Sequence, residues 1–404
     1  MLLTRFSRFV APRAFLNAVC LRMCDYCPET LQSLRQNTEN LFWKCSGFLR
    51  ALGLMFFLVL PLSQLLMAQD KIDHRKLTHY LNDEGEAVPI RSMDDWKKRR
   101  ASVLQSMQQV TGTHPGRRTN FPLQVQVLEE VVEKAYRRQK ITLDSGDGDR
   151  IPALLYLPND ANPNEKRPGI VALHPTGAAG KLIVDGSTER ENRQYARELA
   201  ERGYVVVAPD YISFGDYEYD FEEDKYQSGT MKGIVNHQRC LDLLQSLPEV
   251  DADRLGVIGH SLGGHNAIFL AVFDNRVKVV VASCGWTPFH DYYEGKLAGW
   301  TSDRYMPLIR DRYELDPDQV PFDFPELIAT LAPRPFLSIS PLHDSNFEVS
   351  GVRQGMQNAR PIYELYQASE QLKLLTPDCA HDFPPELREA AYRFMDDALK
   401  LGPK

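Results

Sequence analysis

The sequence predicts an α/β fold built on a mainly parallel sheet with helices on both faces. Six short apolar runs, 169–173, 204–208, 255–258, 277–282, 335–339 and 372–375, lack a polar face, as do strands covered on both sides. Segments of helical spacing at 189–202, 226–247, 262–273, 351–369 and 385–401 alternate with them. Such alternation calls for parallel pairing through right-handed crossovers. Ahead of these runs, 123–127, the stretch around 140–143 and 151–157 predict an antiparallel opening to the sheet, with a turn at Ser145-Gly-Asp-Gly148.

In chain order, residues 1–68 come first. The apolar run 51–62, preceded by Lys44 and Arg50 and followed by Ala68-Gln69, has the form of a secretory signal cleaved near Ala68. The mature protein is then expected outside the cytoplasm, periplasmic or extracellular, without a membrane span. The long stretch ahead of the run exceeds a simple signal and suggests a start assigned too far upstream. An uncleaved signal anchor is the alternative, although the run falls short of the roughly 20 residues that span a bilayer. Cys20, Cys24, Cys27 and Cys45 fall in this segment, where the spacing of the first three imitates an iron–sulfur cradle with no cofactor domain after it, a coincidence. Cys240, Cys284 and Cys379 allow at most one disulfide.

Residues 69–122 are expected to form an N-terminal extension. Ser92 followed by Asp95 reads as a capping box that opens a packing helix to about Val110, with Trp96, Val103, Met107 and Val110 near one face. The main domain is expected at 123–404, with a cap-like insertion at 286–330. Charge excludes one class of partner. The chain carries 47 basic and 54 acidic side chains, and its one basic block is 97–100, so a nucleic-acid footprint is absent.

The sharpest chemical signal is Gly259-His-Ser261-Leu-Gly263, set between an apolar strand and a helix. A turn of this kind strains the central serine and lifts its hydroxyl clear at the helix N-terminus, so small residues must flank it. A serine nucleophile needs a base and an orienter for that base. His381 follows the last strand, and Asp344 follows the strand before it, at the sheet edge where catalytic groups of open α/β sheets gather. Asp378, Asp382 and Glu348 compete with Asp344 as orienter. For the oxyanion, the loop 174–180 supplies backbone donors. Pro175 has no N–H, leaving Thr176 or Gly177 to act with the Leu262 N–H. His174 is expected to brace this loop, and His260 and His265 to pack around the serine.

These residues resemble those of the α/β-hydrolases, particularly the dienelactone-hydrolase-like group that includes exported bacterial enzymes of acetylxylan-esterase type. The resemblance runs from about residue 123 to 400 through His174-Pro-Thr-Gly177, Ala208-Pro-Asp-Tyr211, Gly259-His-Ser-Leu-Gly263, His343-Asp344 and Ala380-His381-Asp-Phe383. It implies ester hydrolysis through an acyl-enzyme with no metal and no organic cofactor. True dienelactone hydrolases carry a cysteine where this chain has Ser261. A serine exopeptidase of related fold and a silent binding protein on the same fold are the alternatives. Residues 70–122 are too few for the gating domain of the first, and all three triad positions are present against the second.

The insertion follows the strand after the nucleophile helix, where hydrolases of this fold place caps. Its aromatics, Trp286, Tyr292 and Trp300 foremost and with them Tyr293 and Tyr305, are expected to offer flat faces, with Asp291, Asp303 and Arg304 binding hydroxyls, a mixture suited to a small acyl ester of a carbohydrate. Anchoring of the insertion by Trp286 and Trp300 is the competing expectation, since large aromatics are mostly buried. The acidic aromatic stretch 216–224 forms either a further wall or a solvated loop.

Overall fold

The computed structural model describes residues 73–161, 164–223 and 225–402. The export segment expected at 1–68 and its cysteines lie outside the described residues. A two-stranded hairpin, β1 (His79–Leu81) and β2 (Ala87–Pro89), leads into α1 (Met93–Thr111). The reciprocal Ser92–Asp95 capping box is formed, and Trp96, Val103, Met107 and Val110 are all buried. Spacing of three and four residues puts them on one stripe, which packs onto the main body.

Among the described residues one large sheet has nine strands in the order β11-β10-β9-β8-β6-β7-β5-β4-β3. Its antiparallel part is β3 (Gln126–Val132), β4 (Tyr136–Asp144) and β5 (Arg150–Pro158), with β5 also antiparallel to β7. The first strand therefore lies later than the alternation at 123–127 predicted. Its exposed Val127, Leu128 and Val132 mark it as an edge strand. The parallel part begins with β6 (Arg167–Leu173), followed by the short α2 (Leu182–Asp185), α3 (Tyr195–Arg202) and β7 (Val205–Pro209). Next come α4 (Gly229–Ser246), β8 (Val250–His260), α5 (Leu262–Phe273) and β9 (Val277–Ser283). After the insertion, which contains α6 (Leu308–Asp311) and α7 (Phe324–Ala329), the chain forms β10 (Phe336–Ile339), α8 (Val349–Leu365), β11 (Leu372–Leu375) and α9 (Pro385–Leu399).

The apolar runs are explained by the two layers they separate. Val171, Val207, Val257 and Val280 face a cluster with Ile234, Leu241 and Phe269, while Ile170, Val206, Ile258 and Val279 face one with Leu199 and Met395. Consecutive strand side chains point to opposite faces, so burial on both demands an unbroken apolar run. This is the α/β-hydrolase fold. Among the described residues no helix is long and apolar enough to cross a membrane.

The insertion between β9 and β10 is mostly irregular, with short 3-10 turns at Tyr292–Gly295 and Leu297–Trp300. It has an apolar interior of its own, in which Phe289, Met306, Ile309 and Phe322 are buried. Its helix α7 is tied to the N-terminal extension: Glu326 is paired with buried Arg99 and lies 2.8 Å from His74. Burial opposes a charge on His74, but the hydrogen bond and negative charge of Glu326 outweigh it and raise the imidazole above its ordinary value.

Candidate active site

The site grows out of the turn between β8 and α5. Ser261 sits there with φ 56° and ψ −118°, a conformation that costs an L-residue on the order of 1–3 kcal/mol and persists only where the surroundings impose it. Here they do. The Ser261 N–H donates to the Ser283 carbonyl at 2.8 Å, pinning the turn to β9. A Cβ on Gly259 would lie 2.1 Å from the Gly263 oxygen, and one on Gly263 would lie 1.9 Å from the Leu173 oxygen. Both flanking positions therefore admit only glycine. As first residue of α5, Leu262 has no intrahelical acceptor for its N–H.

The loops after β10 and β11 bring Asp344 to His381. His381 Nδ1 lies 2.9 and 3.0 Å from the two Asp344 carboxylate oxygens, and Asp344 Oδ1 also accepts the N–H of Asn346 at 2.8 Å and of Phe347 at 3.2 Å. A carboxylate only accepts, so Nδ1 carries the proton and Nε2 is left with a lone pair. The three competing acids are engaged elsewhere. Asp382 holds Arg193 and Asn192, Asp378 bonds His343 Nε2 at 2.8 Å, and Glu348 accepts from the Ser350 N–H at the start of α8.

Ser261 and His381 line one cleft of about 370 Å³ together with Thr176, Leu262, Tyr292 and Trp300. His174 braces the loop behind it, accepting the Tyr211 N–H on Nε2 at 2.9 Å and reaching the Pro175 carbonyl with Nδ1 at 2.7 Å. Burial holds its pKa below the ordinary value. Thr176 borders the cleft, with its hydroxyl 3.3 Å from that of Tyr305. Gly177 does not border it, and its carbonyl accepts the Gly180 N–H. His260 is buried beneath, its ring centroid 4.9 Å from that of His381. Burial, then the charge of Arg193, push it well below its ordinary value. His265 lines the cleft wall against Trp300, and burial pushes it down to about 3. Both rings stay neutral at physiological pH.

The expected substrate-binding role of Trp286 is overturned by its depth. Its exposure is 0%, its Nε1–H donates to Ser338 Oγ at 2.9 Å, and it does not border the cleft. Tyr292 and Trp300 do border it, Trp300 with only 3% of its surface exposed. Asp303 and Arg304 lie off the cleft, where Arg304 bonds Ser213 and covers the Phe214 ring, while Asp291 lines a neighbouring hollow. The stretch 216–223 is no wall either: Tyr217 is buried with its hydroxyl on Asp149, and Asp216 bonds Lys181. Replacement of Trp286 by Ala is expected to destabilise the fold by about 3–5 kcal/mol, the usual scale for emptying a buried aromatic site. Thermal unfolding checks this, and KM of the folded variant should stay within about twofold of wild type.

Sequence reasoning missed three residues of the cleft, Arg190, Asn346 and Phe347, while Tyr293 and Tyr305 belong to the aromatics of the insertion. Asn346 and Phe347 follow Asp344 by two and three positions, so the loop that carries the acid was itself a signal. Arg190 lay in a segment assigned to helix, whereas the helix begins only at Tyr195. Among the described residues, one group of metal-type donors is formed by Cys284, Asp344 and His381, whose ligand atoms lie within 4.8 Å of one another. Two of the three are already hydrogen-bonded to each other.

The protein named "Putative hydrolase YtaP" from Bacillus subtilis (strain 168) is 25% identical over 316 residues, covering 74% of this chain and 100% of that protein. The carbohydrate esterase MZ0003 from an unknown prokaryotic organism is 22% identical over 331 residues, covering 69% of this chain and 76% of its own. A glucuronoyl esterase from Solibacter usitatus superposes with a TM-score of 0.62 at 20% identity, over 82% of this chain and 98% of that one, a likeness of fold alone. The model of the prolyl oligopeptidase family (Peptidase_S9) matches residues 191–396, a span that holds Ser261, Asp344 and His381. This α/β-hydrolase chain belongs to the prolyl oligopeptidase family.

Proposed function

We propose that the protein is a serine esterase that removes short acyl groups, most simply acetyl, from carbohydrates or similarly polar alcohols. The observation that carries this reading is the His381–Asp344 hydrogen bond at the edge of the cleft that also holds the strained Ser261. Ser261 Oγ attacks the ester carbonyl while His381 Nε2 takes its proton. The Leu262 N–H and the Thr176 N–H receive the oxyanion, and the alcohol leaves with the proton from His381. Water then attacks the acyl-enzyme by the same proton route, so no cofactor is required. Tyr292, Tyr293 and Asn346 give the cleft a polar rim beside the flat edge of Trp300, a lining suited to hydroxyl-rich substrates and poor for long acyl chains. The names of the carbohydrate esterase and glucuronoyl esterase relatives support the same substrate class. Export of a mature form beginning near Gln69 belongs to this reading, supported by the apolar run 51–62, and N-terminal sequencing of the exported protein tests it.

Family membership favours a second reading, a serine peptidase using the same residues. Short-chain aryl esters and aminoacyl arylamides separate the two. The esterase reading expects kcat/KM for an aryl acetate at least about a hundredfold above that for any arylamide. An arylamide preferred over the ester overturns it, and failure of Ser261 to react with a fluorophosphonate overturns both.

A further inference from the structure

The cleft contains a cation that the esterase mechanism does not use. Arg190 borders it beside Thr176, and its Nη1 donates to the Thr176 carbonyl at 2.7 Å. A guanidinium has five N–H donors in a planar fork, and among the described residues no carboxylate pairs with the rest of this one. Its neighbour Arg193 shows the contrast, being paired with Asp382. Apart from Arg190 the residues bordering the cleft are neutral or imidazole, with no Asp or Glu among them. Arg190 is solvent-exposed, and partial burial, then the like charge of Arg193, lower its pKa. This cation stands against a chain whose net charge is −7.

We propose that Arg190 is a specificity-determining residue that selects esters bearing a carboxylate, either on the acyl chain or on the alcohol. The proposal rests on the esterase reading and narrows its substrate class from polar to acidic alcohols or acyl groups. The hydrogen bond to the Thr176 carbonyl fixes one nitrogen of the fork beside the cleft, and the donors that remain suit a planar anion, for which bidentate Arg–carboxylate geometry is the strong arrangement. Arg190 is exposed at the border of the cleft, so the pair stays open to screening by salt. The carboxylate remains unreacted throughout. It is bound, and the bond cleaved is the separate ester at Ser261.

Two matched pairs of probes test it, because the side of the ester on which the anion lies is open. One pair is an aryl hemisuccinate against the aryl butyrate, with the charge on the acyl chain. The other is 4-acetoxybenzoate against its methyl ester, with the charge on the leaving group. The quantity read is the anionic-to-neutral ratio of kcat/KM in wild type divided by the same ratio in Arg190→Met, which cancels intrinsic reactivity. A quotient of about threefold to fivefold in either pair is expected, the upper scale of one exposed charge pair. It should shrink as salt rises, and Arg190→Lys should restore part of it. Quotients near one in both pairs overturn the proposal, including the case in which Arg190→Met slows all four esters equally and so serves only to support Thr176. The neutral esters read the esterase mechanism independently: if wild type hydrolyses them through Ser261 while the quotients stay near one, the esterase reading stands and the acidic specificity falls. If no ester is hydrolysed, both fall.

Discussion

Replacement of Ser261 by Ala is expected to lower kcat on aryl acetates by about a million-fold, the scale on which loss of a triad serine removes the covalent route. The Ala variant keeps a Cβ at φ 56°, so the backbone strain of the turn is unchanged and the loss is chemical. Removing only the hydroxyl also leaves the Ser261 N–H on the Ser283 carbonyl and the Leu262 N–H in the first turn of α5. The proposed oxyanion donors therefore persist, and the residual rate is expected to measure what they achieve without a nucleophile. The experiment pairs ester kinetics with fluorophosphonate labelling on protein whose thermal unfolding matches wild type. Labelling of Ser261→Ala at the wild-type rate would place the nucleophile elsewhere.

Asp344→Asn is expected to lower kcat by about 10⁴-fold, with little change in the fold. The argument lies in the direction of one proton. The Asp344 carboxylate accepts from His381 Nδ1, which leaves Nε2 free to take the serine proton. An amide in its place can donate to Nδ1, and the imidazole then carries its proton on Nε2, the wrong nitrogen for a base. The backbone bonds from Asn346 and Phe347 to Oδ1 are available to the amide oxygen as well, so the loop after β10 keeps its shape. Glu348→Gln is the control. Its carboxylate accepts from the Ser350 N–H at the start of α8, so kcat should stay within about twofold while helix stability falls by at most ~1 kcal/mol. A large loss of kcat in Glu348→Gln and none in Asp344→Asn would reverse the two roles.

The parts legible in the sequence were those where backbone geometry or two-sided burial restricts residue type. Gly259 and Gly263 could be read because a Cβ at either would meet a carbonyl oxygen, and the runs around Ile170 and Val257 because both sheet faces are covered. The Ser92–Asp95 box could be read because capping is a local event. Trp286 and Trp300 could not be ranked in this way. Both are aromatic residues of one irregular segment, and only the path of the chain sends one beneath the cleft and the other to its wall. Arg190 was hidden for a related reason. A charged residue in a polar stretch looks like a solvated surface until the fold turns that stretch toward the serine. The opening strand was displaced because β3 is an exposed edge with no buried side, so alternation near 123–127 carried little information about where pairing starts.

The attachment of Glu326 to Arg99 and His74 bears on how the enzyme opens and closes. These contacts join the insertion to the N-terminal extension, 227 and 252 residues earlier in the chain, and the bond from Trp286 to Ser338 joins it to β10. Lifting the insertion away would strand a buried guanidinium and a buried carboxylate and wet the aromatic cluster around Phe324, each step costing several kcal/mol. Motions of that size are rare excursions and not part of each turnover. What is left to move at the entrance is the rim, where exposed Tyr293 is held by its hydroxyl donating to Asn346 Oδ1. The shape that meets a substrate is already the shape that holds it.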